Sequence, residues 1–317
     1  MTDRRSLEPA GTALPVTALS DTARQLAGAA LAPRTVALYR AALADLDDWL
    51  AAEGRTGDDA AIADWLAVRH DAGAAPSTLS LAVAAVKAAA RLSGQPSPAG
   101  PATARVLAGI RREGRGRGRG QVQGLQWSQA DTAAAVAANG GARLAGLRDA
   151  AMIALASDAL LRVSELLAVQ VADLAAEADG SGRLAVHRSK TDQEGEGAVL
   201  YVGPPAMQRV TAWRDAAGVH DGPLFRRIRR GDKVQGETIS ARAARDIIRR
   251  RAAEAGIEGR ITGHSLRVGA AQSLAAAGAG LVEMQTAGRW QSPAMPGRYA
   301  RGQLAARGAV ARLRHGT

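Results

Sequence analysis

Apolar side chains recur at helical spacing through the first third of the chain. In the stretch Pro33–Glu53, Tyr39 and Leu43 fall on one face, and Gly54 is suited to end the helix. Further stripes of the same kind are formed by Ile62, Trp65 and Leu66, then by Leu79, Val83 and Val86 after Pro76, and last by residues 102–112. Because no segment alternates like a strand, residues 20–111 are predicted to form a compact helical domain.

The pattern changes from Trp127 onward, where helical and alternating segments are interspersed. Alternation in Arg183–Ser189 and in Ala198–Val202, on either side of the polar stretch KTDQEGEG, predicts a β-hairpin. Helices are predicted at about 128–139, 142–157, 205–216, 239–256, 264–277 and 280–287, with two short ones near Tyr299 and Leu304. The expected fold class is therefore mainly α with one small antiparallel hairpin, the second domain (residues 127–317) being α+β.

Two segments lack periodicity. Residues 1–19 contain Pro9, Gly11 and Pro15 and are predicted to be a mobile tail. The run REGRGRGRG at residues 112–120 alternates arginine with glycine and offers nothing to pack, so residues 112–126 are predicted to be a flexible cationic linker. Such a linker is either a solvated spacer or a strap that follows the backbone of a nucleic acid.

Composition narrows the class of protein. With 317 residues the chain exceeds what one hydrophobic core usually organises, so two domains are expected. The absence of cysteine rules out disulfides, thiolate nucleophiles and cysteine-ligated zinc. Apolar runs stay shorter than the ~18 residues of a membrane span, and MTDRRSLEPA is not followed by the apolar core of a secretory signal, so a cytoplasmic protein is expected.

The charge balance points to a polyanionic partner. The formal net charge is +11, and residues 127–317 hold most of the excess, with 26 basic and 18 acidic side chains. A positive excess of this size favours nucleic acid, since each neutralised phosphate releases condensed counterions. An anionic membrane surface is the weaker choice. The alternative is a basicity that merely reflects an arginine-rich composition.

Two residues stand out by their rarity. Lys190 is one of three lysines against 38 arginines and lies in the predicted hairpin turn; an ammonium can act as an acid where a guanidinium cannot. Tyr299 is one of three tyrosines and sits in PAMPGRYAR, where Pro296 and Gly297 work against a long rigid helix. Taken singly, each is better explained as a solvated surface residue.

Two arginine motifs suggest an anion site. His264 and Arg267 are three residues apart, so they project from one face near the N-terminus of a predicted helix. Arg162 is flanked by apolar residues, and Glu165 could pair with it. A capped helix with a structural histidine is the alternative for the first motif. No Cys, His or carboxylate near His264 completes a metal-ligand set, so no metal is predicted.

The combination of these motifs is more specific than any one of them. They are LLRVSEL around Arg162, the hairpin residues Ser189-Lys190-Thr191, GHSLRVGAA from Gly263, AGRW ending at Trp290, and RYAR around Tyr299. In this order they resemble the active-site signature of the tyrosine recombinases, the phage integrase family, and they are most similar to its Cre-like branch. The resemblance spans roughly residues 20–315, and it implies a helical, SAM-like core-binding domain followed by a catalytic domain.

The resemblance also implies a chemistry without metal or cofactor. Tyr299 would attack a DNA phosphodiester to give a 3′-phosphotyrosine, while Arg162 and Arg267 hold the phosphate oxygens. Lys190 would protonate the departing 5′ oxygen, and His264 would assist proton transfer. Two residues are expected to support them: Trp290, by donating its indole N–H or simply by packing, and Glu165, by orienting Arg162.

DNA contacts and assembly are implied less directly. The partner would be double-stranded DNA with paired target sites, bound by a homotetramer that exchanges the C-terminal segment Gly302–Arg314; neither the target sequence nor any accessory factor can be read from the chain. Arg227 and Arg229 match positions that contact DNA in Cre-like enzymes, and Arg242 resembles a base-reading arginine. In the first domain the plausible contacts, near predicted helix starts, are Arg34, Thr35, Ser77, Thr78 and Lys87. Each first-domain residue could equally cap a helix or be solvated. The rival functions are a type IB topoisomerase and a non-catalytic DNA-binding protein.

Overall fold

The computed structural model describes residues 20–22, 30–114, 122–139, 143–187, 197–306, 308 and 313–314. The chain divides into two compact units, residues 1–120 and 121–317. The predicted tail at residues 1–19 and the hairpin turn that contains Lys190 lie outside the described residues.

Within residues 30–114 the first unit has four helices: α1 (Pro33–Glu53), α2 (Asp59–Asp71), α3 (Pro76–Leu92) and α4 (Pro101–Glu113). A proline begins α1, α3 and α4, where its missing N–H is not needed and its fixed φ suits the helix. Asp59 links α2 to the start of α4 by accepting hydrogen bonds from the side chain and backbone of Thr103. The Thr103 hydroxyl is the main cause of a strongly lowered Asp59 pKa.

The core of the first unit lies along the predicted stripes. Trp65, Ile62 and Leu66 of α2 are almost fully buried and pack with Leu79 of α3 and Leu107 of α4. Their spacing of three and four residues places them on one side of each helix. The helical prediction for this part of the chain is confirmed.

The second unit surrounds its core with helices and two small sheets. Its helices are α5 (Trp127–Asn139), α6 (Leu144–Asp158), α7 (Val163–Ala168), α8 (Pro204–Ala217), α9 (Ala241–Glu254), α10 (Ser265–Ala277), α11 (Leu281–Gly288), α12 (Ala294–Tyr299) and α13 (Arg301–Ala306). Its strands are β1 (Leu174–Ala176), β2 (Gly182–Val186), β3 (Ala198–Val202), β4 (Arg226–Arg229) and β5 (Lys233–Thr238). Buried α6 lies at the centre, where Met152, Ile153 and Leu155 are at most 1% exposed.

The sheets are more numerous than predicted. β1, β2 and β3 form an antiparallel sheet in that order, with Leu184 paired to both Leu174 and Leu200. β4 and β5 form a second antiparallel hairpin, so the prediction of a single hairpin was wrong. Its strands, RRIR and KVQGET, are largely polar and half-exposed, so they lack the apolar alternation on which the prediction relied. The mainly helical class with small antiparallel sheets is confirmed.

The segment that leads into the second unit is packed against α10. Leu125 is buried, and its N–H donates to the carbonyl of Ser265 at 2.8 Å, while the N–H of Trp127 donates to the hydroxyl of Ser273. α4 continues to Glu113. Both ends of the predicted linker at residues 112–126 are therefore ordered structure, and residues 115–121 lie outside the described part.

Gly269 makes this packing possible, and its substitution should unfold the second unit more easily. A Cβ at position 269 would overlap the carbonyl group of Leu125, so Gly269→Ala must push the segment off α10. We expect a loss of about 1–3 kcal/mol in the free energy of unfolding, measured by chemical denaturation. Gly236→Ala is the matched control, because a Cβ there meets nothing within 4 Å. Equal effects of the two substitutions would contradict the packing account.

Candidate active site

Tyr299 ends the short helix α12 and points into the second unit. Pro296 is buried in the first turn of α12, where its missing N–H costs no hydrogen bond, and its carbonyl accepts from the N–H of Ala300. The half-buried Tyr299 hydroxyl lies 3.0 Å from Nε2 of His264. Its ring packs edge-on against His264. It also packs against Trp290, with the two rings tilted and their centroids 5.8 Å apart.

His264 immediately precedes α10, so it projects from the N-terminal end of that helix. Burial lowers the pKa of His264, and the positive charges of Arg267 and Arg162 lower it further. The imidazole is therefore held in its neutral form near neutral pH, in which one ring nitrogen can accept a proton. Since its partner is the Tyr299 hydroxyl, the pair is arranged as a nucleophile beside a base.

Arg267 is fully buried one turn further along α10. Its guanidinium donates to the backbone carbonyls of Leu160 and Gly288 and lies 4.5 Å from the Trp290 ring, in a cation–π contact. Burial and the charge of Arg162 lower its pKa to about 9, so it stays protonated at neutral pH. Its Nε atom is buried and has no hydrogen-bond partner among the described residues.

Arg162 and Glu165 meet at the start of α7. The Glu165 carboxylate accepts from the backbone N–H of Arg162 at 2.9 Å and from its guanidinium. Only 2% of the Glu165 side chain is exposed, against 19% for Arg162. Burial by itself raises the pKa of Glu165, but hydrogen bonds from Arg162 and the charges of Arg289 and Arg162 outweigh it, and the net pKa is lowered. Glu165 is thus a carboxylate that holds Arg162 at the edge of the site.

Sequence reasoning missed Arg289, which completes this cluster. Its guanidinium donates to Oε2 of Glu165 at 2.8 Å, whereas the guanidinium of Arg162 donates to Oε1. The local signal was weak: Arg289 lies within AGRW, directly before Trp290, and arginine is mostly exposed unless it is paired. The structure thus brings together the predicted catalytic residues that it describes, Arg162, His264, Arg267, Trp290 and Tyr299, with the predicted supporting residue Glu165.

Lys190 falls in the gap at residues 188–196. The strand that leads to it ends beside the cluster, because Val186 and His187 line a cavity of about 110 Å³ together with Glu165. His187 is fixed there by a 2.8 Å contact between its Nε2 and Asp173. The hairpin therefore departs next to Glu165.

The predicted DNA-contacting side chains lie mostly at the surface. On β4, Arg227 and Arg229 are exposed, whereas Arg226 is tied to Asp221; Arg242 at the start of α9 is 90% exposed. In the first unit, Arg34 and Thr35 are in the first turn of α1, Ser77 and Thr78 are in that of α3, and Lys87 is on α3; all but the half-buried Thr35 are exposed. Exposed cations suit phosphate contacts.

The arrangement is chemically suited to an anionic ester. Three guanidiniums, from Arg162, Arg267 and Arg289, face one carboxylate, so the described cluster has an excess of positive charge beside a tyrosine–histidine pair. Such an excess stabilises negative charge that develops on a phosphoryl group. Among the described residues, no three His, Asp or Glu side chains are grouped as metal ligands, and no helix is long and apolar enough to cross a membrane.

Comparisons with known proteins agree on one family. The model of the phage integrase family matches residues 125–305. The chain is 35% identical over 140 residues to an integrase/recombinase XerD homolog of Selenomonas ruminantium, a match that covers 42% of this chain and 41% of that protein. It is 28% identical over 277 residues to the recombinase Cre of Escherichia phage P1, covering 80% of this chain and 78% of Cre.

Two solved structures show the same fold. The XerH site-specific recombinase bound to a palindromic difH substrate aligns with a TM-score of 0.62 at 14% identity, covering 80% of this chain and 72% of XerH. A lambda integrase dimer bound to a COC′ core site aligns with a TM-score of 0.58 at 16% identity, covering 87% and 92%. These likenesses concern the fold.

The lowered pKa of His264 makes stability depend on pH. In the folded chain the imidazole resists protonation, so the unfolded chain binds one proton more once the pH falls below the unfolded value of ~6.5. As the pH falls below ~6.5, the wild type should therefore lose more stability than His264→Gln. Above that pH, the stabilities of the two proteins should change with pH in the same way. Thermal unfolding at a series of pH values checks this, with the exposed His220→Gln as control. Parallel profiles for wild type and His264→Gln would contradict it.

Proposed function

The chain belongs to the phage integrase family, and on that premise we propose that it is a site-specific DNA recombinase, which cuts and rejoins strands through a 3′-phosphotyrosyl intermediate. The observation that carries the proposal is the 3.0 Å contact of the Tyr299 hydroxyl with His264, in a site that Arg162 and Arg267 make positive. The XerD homolog is matched over only 41% of its length, and both curated relatives are named as recombinases.

The first step is attack of the Tyr299 oxygen on phosphorus. A bond forms between that oxygen and phosphorus while the bond from phosphorus to the 5′ oxygen breaks. A phenol with an ordinary pKa of ~10 is a weak nucleophile near neutral pH, so its proton must be taken up as the bond forms. Neutral His264 is placed to accept this proton. The bond energy stays in the phosphotyrosine, and a 5′ hydroxyl of the partner duplex can reverse the step.

Two guanidiniums and an indole stabilise the transition state. Arg162 is the more exposed arginine and donates hydrogen bonds to a non-bridging oxygen. Arg267, which is buried beside Trp290, stabilises the negative charge of the phosphate by its own positive charge. We assign the Trp290 indole N–H to a phosphate oxygen. Its packing against both Tyr299 and Arg267 supports that role, because it fixes the tyrosine and the cation relative to each other.

Lys190 is proposed as the general acid for the leaving 5′ oxygen. The support is the position of the hairpin: β2 ends beside Glu165 at Val186, and β3 resumes at Ala198. Lys190 lies four residues beyond the end of β2, well within reach of the arginine cluster for a chain that spans ~3.3 Å per residue. An ammonium can give up its proton and be recharged from water, which a guanidinium does not do.

Both units are proposed to bind double-stranded DNA. In the second unit, Arg227 and Arg229 on β4 are phosphate contacts, and Arg242 is a candidate for reading a guanine edge. In the first unit, the candidates are Arg34 and Thr35 in the first turn of α1, Ser77 and Thr78 in the first turn of α3, and Lys87 further along α3. The exposure of these cations and hydroxyls supports the assignment, as does the net charge of +11.

Paired target sites require an assembly, which we propose to be a homotetramer on two duplexes in the cytoplasm. The segment Gly302–Arg314 would dock on a neighbouring copy, and cyclic exchange of such segments closes a ring. A cavity of about 600 Å³ next to the site is a candidate acceptor, lined by apolar residues that include Trp127, Val199 and Tyr201. Val199 and Tyr201 are 69% and 66% exposed, an unusual surface for large apolar side chains.

Tyr299→Phe should keep DNA binding and abolish the covalent adduct. Removing one hydroxyl leaves the basic surfaces intact, so affinity for a duplex selected from a random-sequence library should stay within about twofold, whereas no phosphotyrosine can form. Gel mobility with a nicked form of that duplex measures binding, and denaturing electrophoresis measures the adduct. Tyr39→Phe, at a half-buried tyrosine of α1 in the first unit, is the control. An adduct that persists in Tyr299→Phe would refute the role of Tyr299. Strand exchange between two duplexes then separates a recombinase from a topoisomerase.

Lys190→Ala should slow cleavage by roughly 10²–10⁴-fold without weakening binding. The reason is loss of the proton for the 5′ oxygen, so a substrate whose 5′ bridging oxygen is replaced by sulfur, a leaving group that needs no proton, should restore the rate. Single-turnover cleavage of the two substrates measures this. Lys233→Ala is the matched control, since Lys233 is exposed on β5. If sulfur gives no rescue, Lys190 is not the general acid.

A further inference from the structure

Arg289 occupies a backbone conformation that normally selects glycine. It follows the last residue of α11 with a φ of 53°, in the left-handed region. A side chain with a Cβ is strained there and persists only where other contacts compensate. The contacts of its guanidinium, which is only 11% exposed, are the compensation.

These contacts join three parts of the site. The guanidinium donates to the carbonyls of Ala159 and Leu160 at 3.2 and 3.4 Å and to Glu165 at 2.8 Å. Arg289 therefore fastens the end of α11, and with it Trp290, to the turn that precedes Arg162.

Leu160 is the second strained position, and it faces the first. Its φ is 48°, and its carbonyl accepts from the guanidiniums of both Arg267 and Arg289. Two left-handed, non-glycine residues thus meet across one carbonyl group. Strain of this kind concentrates where a precise arrangement is used.

Charge sharing explains what Arg289 contributes. Glu165 has one oxygen on the guanidinium of Arg162 and the other on the guanidinium of Arg289. Without Arg289, both carboxylate oxygens would serve Arg162 alone, Oε1 through its guanidinium and Oε2 through its backbone N–H, and a neutral pair would form in place of a cation with free donors. With Arg289, one negative charge is divided between two cations, and Arg162 keeps an excess of charge for an incoming anion.

We infer that Arg289 is a positioning residue, which shares the Glu165 carboxylate so that Arg162 remains free to bind the phosphate and which anchors Trp290 beside Tyr299. This inference deepens the proposed function and depends on it for the identity of the anion, a DNA phosphodiester. It assigns no contact between Arg289 and the DNA itself.

The first test is single-turnover cleavage by Arg289→Gly, which also relieves the backbone strain. We expect the adduct to form more slowly by about 10- to 100-fold, as for a misplaced catalytic group, with DNA affinity unchanged. Arg289→Lys, which keeps the charge, should recover part of the rate. Arg183→Ala is the control, because it removes an exposed arginine that pairs with Glu177.

In the double variant Arg289→Gly/Glu165→Gln, the losses should not multiply, since both act on Arg162. Wild-type rates in Arg289→Gly, or losses that multiply, would overturn the inference.

A second test does not need catalysis. Sulfate should raise the melting temperature of the wild type by binding at the arginine cluster. The part of this rise that is lost in Arg162→Ala is the contribution of sulfate bound at that cluster. Arg289→Gly should lose the same part, because Glu165 then occupies Arg162. Equal sulfate responses of Arg289→Gly and wild type would overturn the positioning role whether or not the chain cleaves DNA. Failure of the wild type to form any adduct would instead refute the proposed function.

Discussion

The candidate active site depends on one buried carboxylate. Three guanidiniums converge on a space that excludes most water, and buried cations without partners are costly enough to unfold a domain. Glu165 is the acidic side chain that contacts two of them, and their hydrogen bonds and charges lower its pKa despite burial, which favours the ionised carboxylate. The remaining charge is met by the main-chain carbonyls of Leu160 and Gly288. The cluster of three guanidiniums and one carboxylate therefore keeps a net positive charge, which favours binding of an anion.

Close approaches of the backbone set the geometry around this carboxylate. Gly269 lets the segment through Leu125 lie against α10, and a Cβ at Gly288 would overlap the Trp290 ring. Both glycines lie within helices that position site residues: Gly269 in α10, which begins next to His264 and contains Arg267, and Gly288 at the end of α11, which leads to Arg289 and Trp290. The positive end of α10 adds to the field at the site. Packing of these segments, which are far apart in sequence, therefore places the side chains of the site next to one another.

The sequence predicted the helices and the members of the site better than it predicted their connections. Helical stripes such as Ile62, Trp65 and Leu66 are strong signals because burial on one face determines them. Arg162, His264, Arg267 and Tyr299 were found because their order resembles a known signature. Arg289 was missed because its role depends on a left-handed backbone and on a shared carboxylate, neither of which has a local pattern. The β4–β5 hairpin was missed because polar strands carry no alternation. The roles of Lys190 and of the DNA-contacting arginines stay predictions.

The central claim is that a single chain supplies both the nucleophile and the cations that act on one phosphate, since Tyr299 contacts His264 of its own chain. Mixing two inactive variants, Tyr299→Phe and Arg162→Ala, on a nicked duplex tests this most directly. If each site is built within one chain, no mixed assembly contains a complete site, and no covalent adduct forms beyond the sum of the two variants alone. An adduct that appears only in the mixture, on the Arg162→Ala chain, would show that the tyrosine is delivered by a neighbour and would contradict the account.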